Sequence, residues 1–289
     1  MTTEIELKQQ VREFYNQVGW QEVSEGVYQN ARYEDLRPVS REYIHRCHIR
    51  VIKHLEPEGR FFLDAGSGPI QYPEYLEYSR GYDFRVCVDI SFVALLEARK
   101  RIGDHGLFVV ADIAELPFKP AVFDGLVSLH TIHHLPQDEH ALAFSELHRV
   151  LMPGRRGVVV NGWHNPPLGV ILDQLRRFTL RLRGFIRRLL GLPPLDQPKR
   201  HKNTGSDAQD PKGTFVSKNN AAWLKQAVGS EIHIKILVWR SVSVKILRTF
   251  FHDGWGGRRL LRILFWLEEC FPNFLGENGQ YPLIVIHKV

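Results

Sequence analysis

Short apolar runs rich in β-branched residues alternate with helical stretches through the middle of the chain. The runs have the length of strands and show no regular polar alternation, which is typical of a parallel sheet covered by helices on both faces. The predicted strands span residues 61–65, 84–90, 107–111, 123–129 and 157–162, and the predicted helices between them span 72–79, 92–102 and 138–151. The pattern therefore predicts an α/β fold.

Other patterns flank this alternating region. Before it, Leu7, Val11, Phe14 and Tyr15 share one face of a predicted first helix, and a second helix ends near Pro57. After it, a basic amphipathic stretch at 166–192 leads into a polar segment at 193–214, which contains Pro and Gly and which we expect to be mobile. The rest of the chain predicts a helix at 219–228, a strand at 232–239, an aromatic-rich helix at 258–271 and a last strand at 281–289.

The composition sets limits on the class of protein. With 289 residues, 44% of them hydrophobic and 24% charged, the chain has ordinary globular values. Cys47, Cys87 and Cys270 are far apart and lack metal-site spacing, so we expect reduced thiols in a cytoplasmic protein. The polar N-terminus has no apolar signal core, and no apolar run approaches the roughly 20 residues that a membrane span needs.

The net charge of +6 is concentrated in one segment. Residues 166–202 contain nine Lys or Arg and two Asp, a balance of +7, so the rest of the chain sums to about −1. On a helical wheel the arginines of this segment lie opposite an apolar face. That face carries Leu175, Phe178, Leu182, Phe185, Ile186 and Leu189.

The basic segment has two interpretations. It is either a cap helix that packs its apolar face over the site, or a helix at 170–192 that makes peripheral contact with an anionic membrane. We expect no nucleic-acid partner, because the arginines are interleaved with leucines rather than with aromatic stacking platforms and no nucleic-acid module is recognisable.

Polar residues follow several predicted strands at their carboxyl ends. The first strand ends in Asp64 and leads into Gly66-Ser67-Gly68, a turn that brings backbone close to a ligand. The dinucleotide fingerprint needs a third glycine where this chain has Gln71. The second and third strands end at Asp89 and Asp112, on the edge where open α/β sheets bind ligands.

Five motifs in order resemble the class I S-adenosylmethionine-dependent methyltransferases, specifically the methyltransferase type 11 group. They are LDAGSGP, VCVDIS, VVADIAELPF, FDGLVSLHTIHHLP and ELHRVLMPGRRGVVV, and they cover about residues 60–162. The resemblance implies a Rossmann-like, seven-stranded, mostly parallel sheet with N-terminal helices and a helical cap insertion. It also implies S-adenosyl-L-methionine as cofactor, a ligand without pyrophosphate that has no need of a third glycine.

The resemblance implies a role for each matching position. Asp64 would lie near the methionine amino group, Gly66, Ser67 and Gly68 beside the methionine portion, Asp89 with Ile90 at the ribose, Asp112 with Ile113 around the adenine, and Leu129 near the sulfur. Each also has a structural reading. The glycines fit a strand-to-helix turn with Pro69 at an early helical position, and Asp89, Ser91 or Asp112 could cap a helix.

Three histidines, His130, His133 and His134, follow the fourth strand. A neutral imidazole there could accept a proton as an acceptor oxygen or carbon attacks the methyl group. We take His130 and His134 as candidate catalytic residues, with a structural role as the alternative. We expect no metal site, because the cluster is flanked by apolar residues and contains no acidic residue.

The resemblance also divides the chain into four parts. We expect an N-terminal helical cap at 1–60, a cofactor-binding core at 61–162, a basic helical and flexible insertion over the active site at 163–218, and the rest of the core at 219–289, with a helical insertion at 240–280.

The leading hypothesis is transfer of a methyl group from S-adenosylmethionine to an O or C atom of a small, lipophilic acceptor. One alternative is a dinucleotide-dependent oxidoreductase, which Gln71 and the absence of a Tyr-x-x-x-Lys pair disfavour. Another is a non-catalytic, membrane-docking protein with the same fold. Candidate residues at the mouth of the site are Tyr15, Trp20, Tyr33, Arg41 and Tyr43.

Overall fold

The computed structural model describes residues 4–16, 22–24, 27–28, 34–193 and 215–289. Within them, seven strands form one sheet in the order β5-β4-β3-β6-β7-β9-β8. A short antiparallel pair, β1 (Glu22–Ser24) and β2 (Val27–Tyr28), lies outside it. The sheet strands are β3 (Gly59–Ala65), β4 (Tyr82–Asp89), β5 (Gly106–Val110), β6 (Gly125–Leu129), β7 (Arg156–Val160), β8 (His233–Arg240) and β9 (Tyr281–His287).

The described helices flank this sheet. They are α1 (Glu4–Phe14), α2 (Arg41–Arg50), α3 (Phe92–Ile102), α4 (His140–Val150), α5 (Pro167–Leu189), α6 (Ala221–Ala227), α7 (Val244–Phe250), α8 (Gly257–Cys270) and α9 (Pro272–Asn278). None of them is long and apolar enough to cross a membrane. Trp20, Tyr33 and the predicted mobile residues 194–214 lie outside the described residues.

The pairing confirms the predicted mostly parallel sheet. β3 lies parallel to β4 and β6, with Asp64 opposite Cys87 of β4 and Val127 of β6. Among the seven described strands of this sheet, only β9 runs against its neighbours, β7 and β8. The carboxyl ends of β3, β4 and β6 therefore meet at one edge of the sheet, where this fold places its ligands.

The sheet is buried on both faces, as the continuous apolar runs predict. On one face, Leu63 and Ala65 pack in a core with helices α4 and α6. On the other, Phe62 packs in a core with helices α2, α7 and α8. Adjacent strand residues point to opposite faces, so the single segment Phe62–Ala65 contributes to both cores.

The connection after β3 agrees only in part with the sequence prediction. The helix predicted at 72–79 is present as a 3-10 helix from Pro73 to Ser79, but Pro69, which we considered compatible with an early helical position, lies in a turn before it. Ile70 has a φ of 56° and is completely buried. A left-handed residue interrupts helical backbone, so the helix begins only after the chain has anchored Ile70, and Pro73 takes the first helical position.

Helix α9 lies very close to strand β8, and Gly276 makes this approach possible. A Cβ atom at Gly276 would be 2.4 Å from the backbone carbon of Leu237. The Gly276 carbonyl oxygen also accepts a hydrogen bond of 2.7 Å from the Trp163 indole. A side chain at this position would push α9 away from the sheet.

We predict that Gly276→Ala lowers the free energy of unfolding by about 1–3 kcal/mol, because the methyl group overpacks against rigid backbone. Gly184→Ala is the matched control, since Gly184 is also helical and a Cβ there meets nothing within 4 Å. The control should be neutral or stabilising by up to about 1 kcal/mol. Urea unfolding of both variants checks this, and equal stabilities would contradict the packing argument.

Candidate active site

A cavity of about 480 Å³ opens at the carboxyl edge of β3, β4 and β6. Its size is in the range of small-molecule sites. Its walls come from the strand ends, from α1 and from residues 215–218, which return to the sheet beside α6. All the candidate residues that the sequence analysis assigned to cofactor or catalysis line it: Asp64, Gly66, Ser67, Gly68, Asp89, Ile90, Asp112, Ile113, Leu129, His130 and His134.

The glycine turn is held tightly against the two neighbouring strands. The backbone N–H groups of Gly66 and Ser67 donate to the Val88 carbonyl oxygen at 2.7 and 3.1 Å. Gly66 has a φ of 76°, and a Cβ there would lie 2.2–2.6 Å from side-chain atoms of Thr131. Only glycine fits both constraints, so the turn forms the floor of the cavity with bare backbone.

Asp64 forms a buried ion pair that the sequence did not indicate. Both the Nε and one terminal nitrogen of Arg85 donate to Asp64 Oδ2. Arg85 lies in the middle of β4, is 1% exposed, and also donates to the Tyr75 carbonyl oxygen at 2.5 Å. Across the described residues, Asp64 Oδ1 has no hydrogen-bond partner, so it is the oxygen that can accept a bond from a ligand.

Asp89 links the end of β4 to the glycine turn. Its carboxylate accepts hydrogen bonds from the backbone N–H of Gly68 at 2.9 Å and of Ser91 at 2.8 Å. Desolvation raises the pKa of Asp89 to about 6 against the opposing effect of these donors. Ser91, not Asp89, caps α3, because its hydroxyl accepts from the Ala94 N–H.

Asp112 is connected to the N-terminal helix. Lys8 Nζ of α1 lies 2.6 Å from Asp112 Oδ2 and 2.6 Å from Glu139 Oε1. The other Asp112 oxygen accepts a bond of 2.9 Å from the Ala114 N–H. The two ion pairs hold α1 across the cavity.

The three histidines differ in how their rings are held. The His134 ring has both nitrogens engaged, Nδ1 with the Phe215 carbonyl oxygen at 2.9 Å and Nε2 with the Tyr15 hydroxyl at 2.8 Å. His133 Nδ1 contacts the Asn161 side-chain oxygen. Of the residues that the structure describes, none forms a hydrogen bond with the His130 ring. His130 therefore presents unused ring nitrogens.

Burial keeps all three imidazoles neutral. Desolvation lowers the pKa of His130 to about 3 and that of His134 to about 4, and it holds the pKa of His133 well below its usual value. The His130 ring packs edge-on against Trp239 and Tyr281, with ring centres 5.0 and 5.7 Å apart. In the described ranges, no group of three His, Cys, Asp or Glu side chains is arranged to hold a metal ion.

Several lining residues had no signal in the sequence. The cavity wall also contains Lys8, Glu34, Tyr72, Lys218, Trp239, Arg240 and Tyr281. Glu34 and Arg240 form a buried ion pair across 206 positions of sequence. These residues come from segments outside the five motifs, and only the tertiary fold brings them to the strand ends.

A family model described as a methyltransferase domain matches residues 63–159. Over these residues the chain is similar to methyltransferase domains. Strand order, the single antiparallel strand and the flanking helices agree with this fold. The methyl donor of such domains is S-adenosylmethionine. The domain match thus favours methyl transfer over the hydride transfer that the sequence analysis had left as an alternative.

Solved structures with the same fold share little sequence with this chain. Geranyl diphosphate C-methyltransferase from Streptomyces coelicolor A3(2), solved with Mg²⁺, geranyl diphosphate and S-adenosyl-L-homocysteine, is 16% identical with a TM-score of 0.55, over 98% of each chain. Phosphoethanolamine N-methyltransferase 1 from Haemonchus contortus is 9% identical with a TM-score of 0.57, over 99% of this chain and 49% of that one. A search of curated proteins gave no match.

Proposed function

We propose that the protein transfers the methyl group of S-adenosylmethionine to an oxygen or carbon atom of a small, lipophilic acceptor. The observation that carries the proposal is one cavity with two chemically different halves. The half beside β5, β4 and β3 has carboxylates and bare glycine backbone, and the half beside β6, β9 and β8 has aromatic rings, neutral imidazoles and the Glu34–Arg240 ion pair.

The first half fits the methyl donor. Gly66 and Gly68 line the cavity with backbone alone, and Asp64 Oδ1 is available to accept from an ammonium group. We assign Asp89 with Ile90 to the ribose hydroxyls and Asp112 with Ile113 to the adenine. The donor supplies an electrophilic methyl group on a sulfonium, beside which we place Leu129.

The second half suits a lipophilic acceptor. Phe14, Tyr72, Trp239 and Tyr281 line it, and apolar atoms dominate the surface of the whole cavity. Helix α1 contributes Val11 and Phe14 to the walls, and the ion pair between Lys8 and Asp112 holds the helix in place. Apolar walls exclude water and favour in-line attack by a bound acceptor, since positioning supplies much of the rate of a methyl transfer.

We propose that His130 accepts a hydrogen bond from the hydroxyl group of the methyl acceptor. A pKa of about 3 makes its imidazole a weak base but keeps it neutral, so a ring nitrogen accepts a hydrogen bond from an acceptor O–H at any physiological pH. His134 cannot act directly in this arrangement, because its two nitrogens bind Phe215 and Tyr15. We propose that His134 positions the Tyr15 hydroxyl at the cavity wall.

Asp89 offers the sharpest test of this function. Asp89→Ala removes the proposed ribose contact, and we expect loss of both S-adenosylmethionine binding and methyl transfer from radiolabelled donor to a panel of quinones, polyprenyl lipids and phenols. The affinity should fall at least about tenfold, as for loss of a charge-assisted hydrogen bond. Asp104→Ala, at an exposed carboxylate outside the cavity, is the matched control.

The pH dependence gives a second readout of the same residue. Because the pKa of Asp89 is raised to about 6, wild-type affinity for S-adenosylmethionine should fall as the pH drops through 6 and the carboxylate is protonated. The cavity histidines stay neutral in this range, since their pKa values are lower. Asp89→Asn should bind weakly without this dependence. Undiminished binding by both variants would refute the assignment.

Helix α5 supports a second proposal, peripheral contact with an anionic membrane. The helix has no buried residue, and its apolar stripe is open to solvent, with Phe178 63%, Phe185 59% and Leu189 70% exposed. Its six arginines face a single carboxylate, that of Asp173, which pairs with Arg176 and Arg177, so the helix keeps an excess of positive charge. An apolar stripe with arginines on both flanks is typical of a helix that lies in the membrane interface.

We predict that the protein sediments with phosphatidylglycerol vesicles and not with phosphatidylcholine vesicles. Phe178→Ser combined with Phe185→Ser should abolish sedimentation while S-adenosylmethionine binding persists. Leu142→Ser is the control, because Leu142 is 50% exposed on α4. Equal sedimentation of the double variant, or no sedimentation of the wild type with anionic vesicles, would disprove the contact.

A further inference from the structure

Lys218 is held in a fixed position on the cavity wall. The segment that carries it is tied to the residues after β6, because the Ser217 N–H donates to the His133 carbonyl oxygen at 2.8 Å and the Phe215 carbonyl oxygen contacts His134 Nδ1. On the other side, the Asn219 carbonyl oxygen accepts from the His164 N–H at 2.8 Å. With its backbone anchored on both sides, Lys218 lines the same half of the cavity as the histidines.

The other cations at this cavity are paired with carboxylates. Lys8 pairs with Asp112, and Arg240 pairs with Glu34. Lys218 differs, since over the described residues its ammonium group has neither a carboxylate nor a hydrogen-bond partner. Within the described part of the chain, no carboxylate compensates the charge of Lys218.

The surroundings of Lys218 make this charge costly. Burial lowers the pKa of its ammonium group, and no carboxylate among residues 34–193 and 215–289 counteracts that effect. The three neighbouring imidazoles are neutral and carry no negative charge. The sulfonium of the methyl donor would add a second positive charge to the same cavity. A ligand with a negative charge would compensate both the Lys218 ammonium group and the sulfonium.

We propose that the methyl acceptor carries an anionic oxygen group, and that Lys218 binds it. The inference rests on the proposed function, because it narrows the acceptor of that same cavity to lipophilic acids. The apolar body of the acceptor packs between Trp239, Tyr72 and Tyr281, and its anionic oxygens lie at the Lys218 ammonium group. A carboxylate and a phenolate share the required chemistry.

The test compares two probes of nearly the same shape, 4-hydroxybenzoate and 4-hydroxybenzamide, by calorimetric titration of the full chain saturated with S-adenosylhomocysteine. The wild type should bind the carboxylate at least about tenfold more tightly than the amide, because the amide has no negative charge to pair with the ammonium group. Lys218→Met should remove this preference, and Lys218→Arg should retain most of it. Lys225→Met is the control, since Lys225 is paired with Glu277 at the surface.

Each outcome bears on the proposal. Equal binding of the two probes by the wild type, no binding of the carboxylate, or an unchanged preference in Lys218→Met would overturn it. A titration of the wild type and each variant with S-adenosylmethionine distinguishes a failure of the Lys218 proposal from a failure of the proposed function. Normal donor affinity without an anion preference would refute only the role of Lys218, whereas no donor binding by the wild type would refute the proposed function.

Discussion

The site depends on the close packing of Gly66 between two strand ends. Its N–H donates to Val88 of β4, and its missing side chain leaves room for Thr131 after β6. The carboxyl ends of β3, β4 and β6 can line one cavity because the turn after β3 packs directly against Val88 and Thr131 and does not extend into the cavity. The position of Asp89 follows from the same packing, since its carboxylate accepts from the Gly68 N–H.

The charges of the cavity are organised around that floor. Carboxylates lie at the ends of β3 and β4 and after β5, and those of Asp64 and Asp112 are paired with Arg85 and Lys8. Across the cavity the histidines are neutral, and Lys218 carries a charge that no described carboxylate balances. A cationic donor and an anionic acceptor match this division, which connects the proposed reaction to the proposed acceptor class.

The sequence was informative where the signal is local. Apolar runs predicted the strands of the sheet, and the polar residues at their ends, among them Asp64, Asp89 and Asp112, all lie in one cavity because parallel strands share an edge. The roles of these residues remain proposals. The resemblance in the motifs predicted the fold that the structure shows.

Long-range and backbone features could not be read in this way. The pairing of Glu34 with Arg240 spans 206 positions, and Lys218 follows a polar segment with no motif. The exclusion of Pro69 from the 3-10 helix depends on the left-handed backbone of Ile70, a conformation that the sequence does not indicate for a buried isoleucine. Such features follow from tertiary contacts rather than from periodicity.

The most direct measurement of the central claim is a calorimetric titration of the wild-type protein with S-adenosylmethionine and, separately, with NADH. We predict micromolar binding of S-adenosylmethionine and no binding of NADH, because the turn at Gly66–Gly68 lacks the third glycine that a pyrophosphate requires. Binding of NADH without S-adenosylmethionine would contradict it.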